Sequence, residues 1–552
     1  MKLTGARILV ETLIEQGCDT IFGYPGGSVL NIYDELYKKR NKIRHILTAH
    51  EQGAAHAADG YARTTGKTGV VIATSGPGAT NLVTGIATAY LDSTPIVFIT
   101  GNVALPLIGR DSFQEVDTTG ITMPITKHNF IVKDVRELAD VIREAFYIAR
   151  SGRPGPVLVD IPKDIQMQTC EFQPLPVREP AKPKCPSDKL IEKAAEIIAA
   201  SKRPYIYIGG GAVIAGAGEE VQALSERIDA PVGCSMMGLS AIPADFKNNL
   251  GMTGMHGRFA SLKANSAADL IIAAGVRFSD RATGNKVKYT QNARVIHIDI
   301  DPAEINKNIS SYFGLAGDLK QILSRIVNKL EKQSRPEWQA QIAEMRREEA
   351  AMFTYSEMHP KTVIEKVMRR ADSDTIVATD VGQHQMWVSQ FYSFKKPRTF
   401  LTSGGLGTMG FGMGAAIGGC FGSGKHRTVL FTGDGSFGMN LNELATAVSN
   451  KLPIVVIIIN NGVLGMVRQW QTAFYKQRYS QSVLNRKTDF VKLAEAFGAH
   501  GFRASTPAEL DAALDKAFKL KTPAVIDCII DKDVRVLPMV PPGGSIENII
   551  IK

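Results

Sequence analysis

Residues 428–461 read TVLFTGDGSFGMNLNELATAVSNKLPIVVIIINN. Two unbroken apolar runs, Thr428 to Thr432 and Ile454 to Asn460, have the length of strands, and their lack of alternation marks strands covered on both faces. The stretch between them predicts a tight glycine turn, a helix from about Asn442 to Asn450 and a stop at Pro453. Strand, helix, strand in that order is the unit of a parallel sheet, so the class is α/β. Two neighbouring strand ends then carry Asp434 and Asn461, with 26 residues between them. Both face a helix N-terminus whose free N–H groups favour an anion. A carboxylate beside an amide oxygen suits a hard octahedral cation that keeps room for phosphate oxygens, and Mg2+ is the natural occupant. A lone Gly433-Asp434-Gly435 is an ordinary turn. With Asn460-Asn461 after a clean crossover, it is a ligand site.

Outward from this segment the same alternation of short apolar runs and amphipathic helical stretches continues in both directions. Val70 to Thr74, Ile96 to Thr100 and Val157 to Ile161 read as strands of a first block, with helices at Asn81 to Tyr90 and Ala139 to Ser151. Tyr205 to Ile208, Leu270 to Ala274 and Val295 to Ile300 belong to a second. Thr375 to Ala378 and Ala524 to Ile530 complete the third. Glu171 to Asp188 holds five prolines and reads as a linker, and Glu331 to Ala351 is a charged helical bridge. The expected architecture is three doubly wound parallel-sheet domains, residues 1–170, 189–330 and 361–552, joined by linkers 171–188 and 331–360.

Composition excludes several classes. With 44% hydrophobic and 21% charged residues, the 552-residue chain is ordinary globular material rather than a disordered one. The net charge of +10 is spread out, and its densest cluster (Lys38, Lys39, Arg40, Lys42) reads as a solvated helix face, not a nucleic-acid site. Six scattered cysteines form no metal-ligand spacing. The opening residues enter an amphipathic helix at once, and no apolar run reaches the roughly 18 residues of a membrane span. A cytoplasmic protein is expected.

Near the N-terminus, Ala49-His50-Glu51-Gln52-Gly53-Ala54-Ala55-His56 opens a helical run through Tyr61, Ala62 and Arg63. Alone, Glu51 reads as an acid at a helix start. Gly26-Gly27 lie upstream and Thr74-Ser75-Gly76-Pro77-Gly78-Ala79-Thr80-Asn81 downstream, all at strand ends of one α/β unit, where open sheets bind ligands. Together with the Asp434 segment these stretches resemble the cofactor motifs of thiamine-diphosphate enzymes. Further segments narrow the resemblance to acetohydroxyacid (acetolactate) synthase catalytic subunits, over essentially the whole chain.

That resemblance implies thiamine diphosphate and Mg2+, with Asp434, the Asn461 amide and the Val463 carbonyl as protein ligands of the metal. Gly433, Gly435, Ser436, Gly465, Met466, Val381, Gly382, Gln383, His384, Gly407, Gly26, Pro77 and Asn81 match positions around the cofactor. Met409, in Gly404-Gly405-Leu406-Gly407-Thr408-Met409-Gly410, takes the place that props it in a bent shape. Glu51 takes that of the carboxylate that stabilises its imino tautomer, so that C2 can lose a proton. Gly465-Met466-Val467-Arg468-Gln469-Trp470-Gln471 is similar to the segment whose Trp favours 2-oxobutyrate over pyruvate, a methyl-sized bias of about 1–3 kcal/mol.

Arg277-Phe278-Ser279-Asp280-Arg281 is similar to the RFDDR segment of flavin-containing synthases, whose last Arg grips the second substrate's carboxylate. Ser279 departs from it, as Ser28 departs from a common Ala. Gly209-Gly210-Gly211, Gly254-Met255-His256, Arg277, Asp299 and Asp318 resemble the family's FAD site, the flavin being structural. Gln114 and Lys127 match segments lining the substrate channel and join Glu51, Arg281 and Trp470 as catalytic candidates.

The implied reaction decarboxylates pyruvate and transfers the hydroxyethyl carbanion to pyruvate or 2-oxobutyrate, in branched-chain amino-acid biosynthesis. The implied partners are small 2-oxoacids and further copies of the chain. A homodimer or homotetramer would place each site between the Glu51 domain of one subunit and the Asp434 domain of another, and the resemblance also admits a separate regulatory small subunit. The rival readings are a flavin-free catabolic synthase, which would lack RFxDR and GMHG; a pyruvate oxidase, which needs a redox flavin; and a non-catalytic cofactor-binding protein, which needs no Glu51.

Overall fold

The structure is a computed structural model describing residues 1–181 and 183–551. It contains three six-stranded sheets, parallel throughout. The first is built from Thr20–Tyr24, Arg44–Leu47, Gly69–Ala73, Ile96–Asn102, His128–Ile131 and Val157–Pro162. The third comprises Ile376–Thr379, Phe400–Leu401, Thr428–Gly433, Ile454–Asn460, His500–Ala504 and Ala524–Ile529. Counted in chain order within each sheet, both run 2-1-3-4-6-5. The middle sheet (Pro204–Ile208, Val232–Cys234, Asn249–Met252, Leu270–Ala274, Arg294–Asp299, Phe313–Ala316) runs 3-2-1-4-5-6, the order of doubly wound dinucleotide-binding sheets.

The apolar runs become strands because helices cover both sheet faces, so every residue from Ile454 to Ile459 is buried. Two helix expectations shift. The segment after Thr428–Gly433 has no free turn: helix Asp434–Asn440 begins directly after Gly433, and a short 3-10 turn joins it to Leu444–Ser449. Gly435 and Gly438 disguise that helix in the sequence by their low helical propensity, while Phe437, 1% exposed, pins it to the core. The charged bridge starts late, as helix Pro336–Met352, because Pro336 supplies the first turn. It is no free spacer, since Trp338 is buried and donates from Nε1 to the Pro204 carbonyl at 3.0 Å. The chain also opens on a short strand, Lys2–Thr4, antiparallel to Thr169–Glu171, before helix Gly5–Glu15.

The first and third sheets meet through one helix each, Glu51–Thr65 and Phe411–Gly422. The backbones touch. A Cβ at Gly418 would fall 1.8 Å from the Ala57 carbonyl oxygen, and one at Gly60 would fall 2.2 Å from that of Ala415. Among the described residues no helix is long and apolar enough to cross a membrane.

Candidate active site

The strand ends of the first sheet bring the N-terminal motifs together. A Cβ at Gly26 would fall 2.4 Å from Thr74 Cβ, so only glycine lets the first loop lie against the third strand's end. Ser28 Oγ is 2.9 Å from Thr74 Oγ1 and accepts the Ser75 N–H, which gives that departure a structural duty. Glu51 is the first residue of its helix, 8% exposed, and its carboxylate accepts from Asn81 Nδ2 at 2.9 Å. Pro77 opens the short helix between them.

At the third sheet, Thr428–Gly433 and Ile454–Asn460 are adjacent, and Asp434 and Asn461 follow their ends. Asp434 is buried and has no ion pair among the described residues; burial pushes its carboxyl up to about 6. His384 packs on Gly433, where a Cβ would fall 3.0 Å from Nδ1. Burial holds that ring neutral, near 3, and its Nε2 has no partner among the described residues. Among the described residues no group of three or more His, Cys, Asp or Glu side chains is placed to hold a metal ion. A cation here would therefore draw on one carboxylate, amide and carbonyl oxygens and the ligand's own oxygens, and that donor set suits Mg2+ with a diphosphate.

Between the middle and third sheets lies a cavity of about 1440 Å³. Its walls include Gly209, Gly210, Gly211, Gly254, Met255, His256, Arg277, Asp299 and Asp318 on one side, and Val381, Gly407, Met466 and Trp470 on the other. Gly209 and Gly211 are needed for packing as well: their Cβ atoms would fall 2.1 Å from the Gly275 carbonyl oxygen and 2.7 Å from its Cα. Burial raises Asp299 to about 6, whereas Asp318 caps helix Leu319–Lys329 through Gln321 N. His256 Nε2 is buried without a partner among the described residues, and burial followed by the Arg281 charge lowers the ring to about 4. The cavity exceeds the roughly 300–1,000 Å³ of most small-molecule pockets and suits a ligand of dinucleotide size.

Arg281 and Trp470, from different sheets, meet on this wall, the guanidinium carbon lying 5.3 Å from the indole centroid. Trp470 also packs edge-on against Phe474 at 5.7 Å, and its Nε1 is buried without a partner among the described residues. The Gly404–Gly407 loop is held from the first domain. Asp92 accepts the N–H groups of Gly404 and Gly405 at 3.2 and 2.7 Å while paired with Arg63 at 3.0 Å, and Gly407 takes φ +73°. Thr88 and Thr408 hydroxyls meet at 2.7 Å, just before the half-buried Met409.

Other candidates stand apart. Lys127 Nζ donates to the Ile148 and Ser151 carbonyls at the end of helix Leu138–Arg150 and does not line the cavity. Burial lowers it to about 8. Gln114 packs on Gly76, next to an 89% exposed Phe113. Sequence reading missed three groups. Glu443 accepts the Ala49 and His50 N–H groups just before Glu51. Arg153 reaches the cavity wall from the first domain and pairs with Glu304 at 2.6 Å. Gln469 joins the loops around Asn461. Their partners are remote in sequence, and only the helix-breaking proline after Arg153 hinted at a loop position.

Comparison with known proteins defines first a class. Thiamine pyrophosphate enzyme domain families match at residues 3–121 (N-terminal TPP binding domain), 191–326 (central domain) and 380–528 (C-terminal TPP binding domain). Full-length relatives then narrow it. The acetolactate synthase isozyme 3 large subunit of Escherichia coli is 45% identical, the alignment covering 94% of this chain and 92% of the relative. The isozyme 2 large subunit of the same organism is 44% identical with both chains covered completely, and the probable acetolactate synthase large subunit of Methanocaldococcus jannaschii is 45% identical over 99% and 95%. The chain belongs to the acetolactate synthase large-subunit family of thiamine-pyrophosphate-dependent enzymes.

Proposed function

We propose that this chain catalyses acetolactate synthesis: it decarboxylates pyruvate and joins the remaining two-carbon unit to a second 2-oxoacid. The products would be 2-acetolactate from pyruvate and 2-aceto-2-hydroxybutyrate from 2-oxobutyrate, in branched-chain amino-acid biosynthesis. The observation that carries this reading is the Arg281–Trp470 pair, a carboxylate-binding fork beside an apolar ring on a cavity wall shared with Val381, Gly407 and Met466.

Thiamine diphosphate, when bound, supplies the carbon nucleophile for the 2-oxoacid carbonyl. Asp434, the Asn461 amide and the Val463 carbonyl would hold its Mg2+, with Ser436, Gly382, Gln383 and His384 around the diphosphate. Glu51 would hold a proton on its carboxylate and share it with the aminopyrimidine. Met409 would keep the cofactor bent. Arg281 would orient the acceptor by its carboxylate, and Trp470 would contact the extra methyl of 2-oxobutyrate. FAD would occupy the middle-domain groove in a structural role, a reading supported by the 3-2-1-4-5-6 sheet order and the partnerless His256 Nε2.

The family resemblance supports a working unit of at least two chains, each completing the other's site, with Gln114 and Lys127 approaching from the partner. Because the relatives are large subunits, a separate small regulatory subunit is a further proposed partner. The test is a product assay with pyruvate, with and without 2-oxobutyrate, on protein whose flavin content is recorded. Both acetohydroxyacids are expected, and acetate formation with flavin reduction would replace this reading by an oxidase.

A further inference from the structure

Asn461 is held by a chain of side-chain amides that all point the same way. Its Nδ2 donates to Gln383 Oε1 at 3.2 Å, and Gln383 Nε2 donates to Gln469 Oε1 at 2.9 Å and to the Val534 carbonyl at 3.1 Å. Gln469 Nε2 donates to the Val536 carbonyl at 3.0 Å, and its Oε1 accepts the Val536 N–H at 2.9 Å. Gln383 and Gln469 are each 4% exposed.

We propose that Gln469 is a positioning residue for the cation site, the anchor of a one-way amide relay that turns the Asn461 oxygen toward the metal. The inference rests on the reading of Asp434 and Asn461 as metal ligands.

A carboxamide has a donor end and an acceptor end, and its orientation is fixed by what those ends meet. The Val536 peptide presents an N–H and a C=O together, so Gln469 fits it in one orientation only. Its oxygen is then turned to Gln383, whose NH2 must face it, and Gln383 in turn offers its own oxygen to the Asn461 NH2. Asn461 Oδ1 is left facing away from the relay, with the Val463 N–H at 3.3 Å as its one protein partner among the described residues. A flipped Asn461 would present an NH2 to a cation, which repels it. Gly465 makes the meeting possible, because a Cβ there would fall 2.0 Å from Gln383 Oε1 and 2.8 Å from Asn461 Nδ2. Partners that orient metal ligands typically affect affinity by about 10- to 100-fold.

The test uses the full chain and reads thiamine diphosphate retained on equilibrium dialysis at graded Mg2+, with the melting temperature in EDTA as the fold control. Gln469→Met and Gln469→Asn, which break the relay, are expected to raise the half-saturating Mg2+ about 10- to 100-fold. Buried and protonated, the Gln469→Glu side chain keeps an acceptor for Gln383 and the Val536 N–H and donates its O–H to the Val536 carbonyl, so it is expected to stay within about threefold of wild type. A role in packing alone would lower the melting temperature and leave Mg2+ dependence unmoved. A folded Met or Asn variant with wild-type Mg2+ dependence overturns the proposal, as does a Glu variant as impaired as Met. If neither Met nor Asn folds, Gln469 serves the core and the proposal also falls. Asp434→Ala separates the two claims. If that variant too keeps its Mg2+ dependence, the metal-site reading fails; if it alone loses it, only the relay fails.

Discussion

Glu51 opens its helix with Asn81 as its carboxylate's one hydrogen-bond donor among the described residues, an arrangement that leaves the acid available to a ligand. An amide in its place keeps the shape and loses the proton. Glu51→Gln is therefore expected to retain thiamine diphosphate on gel filtration while turnover falls about a hundredfold or more. Turnover within threefold of wild type would remove Glu51 from its role. Arg281 and Trp470 touch, yet their substitution should act on different products. Arg281→Ala leaves the acceptor ungripped, so the two-carbon unit escapes and acetaldehyde rises relative to acetolactate. Trp470→Leu loses a methyl-sized contact worth about 1–3 kcal/mol, shifting the ratio of the two acetohydroxyacids by about tenfold toward acetolactate. Equal pyruvate and 2-oxobutyrate in competition, with all three products quantified, separates the effects. An unchanged profile in both variants would dissolve the acceptor site.

At the scale of elements, the crossing of Glu51–Thr65 with Phe411–Gly422 depends on residues without side chains. Gly418→Val must push the helices apart, an overpacking that costs about 1–3 kcal/mol or more, and the expected lower melting temperature is checked by calorimetry. Strand Val157–Pro162 carries a different liability. Its Asp160, hydrogen-bonded to Thr100 on the next strand, is buried, and that burial raises the carboxyl to about 6. The unfolded chain ionises near 3.9, so the stability held by the protonated acid is present below that pH and is lost as pH rises through about 6. Asp160→Asn should thus gain on wild type by about 2 kcal/mol between pH 4 and pH 7; denaturant titrations that run parallel across that range would refute it. These elements also mark what could be read in the sequence. Ile454 to Asn460 was legible to the residue because a doubly covered strand is simply apolar, and the adjacency of the strand ends before Asp434 and Asn461 because both halves are local, although the turn expected after Gly433 is a helix. Phe411–Gly422 was not: buried on every side through Phe421, it has no polar face and so no period to detect. Glu443, bonded to Ala49 across 394 residues, leaves no mark in any window of sequence.

For the whole molecule, the proposed sharing of each site between two chains carries an expectation: a solution mass at least twice the 59.8 kDa of one chain, with activity lost on dilution below the dissociation range. A fully active monomer in ultracentrifugation would contradict this. Heat-denatured protein is expected to release about one flavin per chain into the supernatant, and none would empty the middle groove of its assigned ligand. The glycine crossing bears on hydrostatic pressure as well. Compression unfolds proteins by eliminating internal voids, and a contact where a single added carbon would strike a carbonyl oxygen at 1.8 Å contains none. Under kilobar compression the joint between the first and third sheets should be the last to yield, and the hollow region against the middle sheet the first.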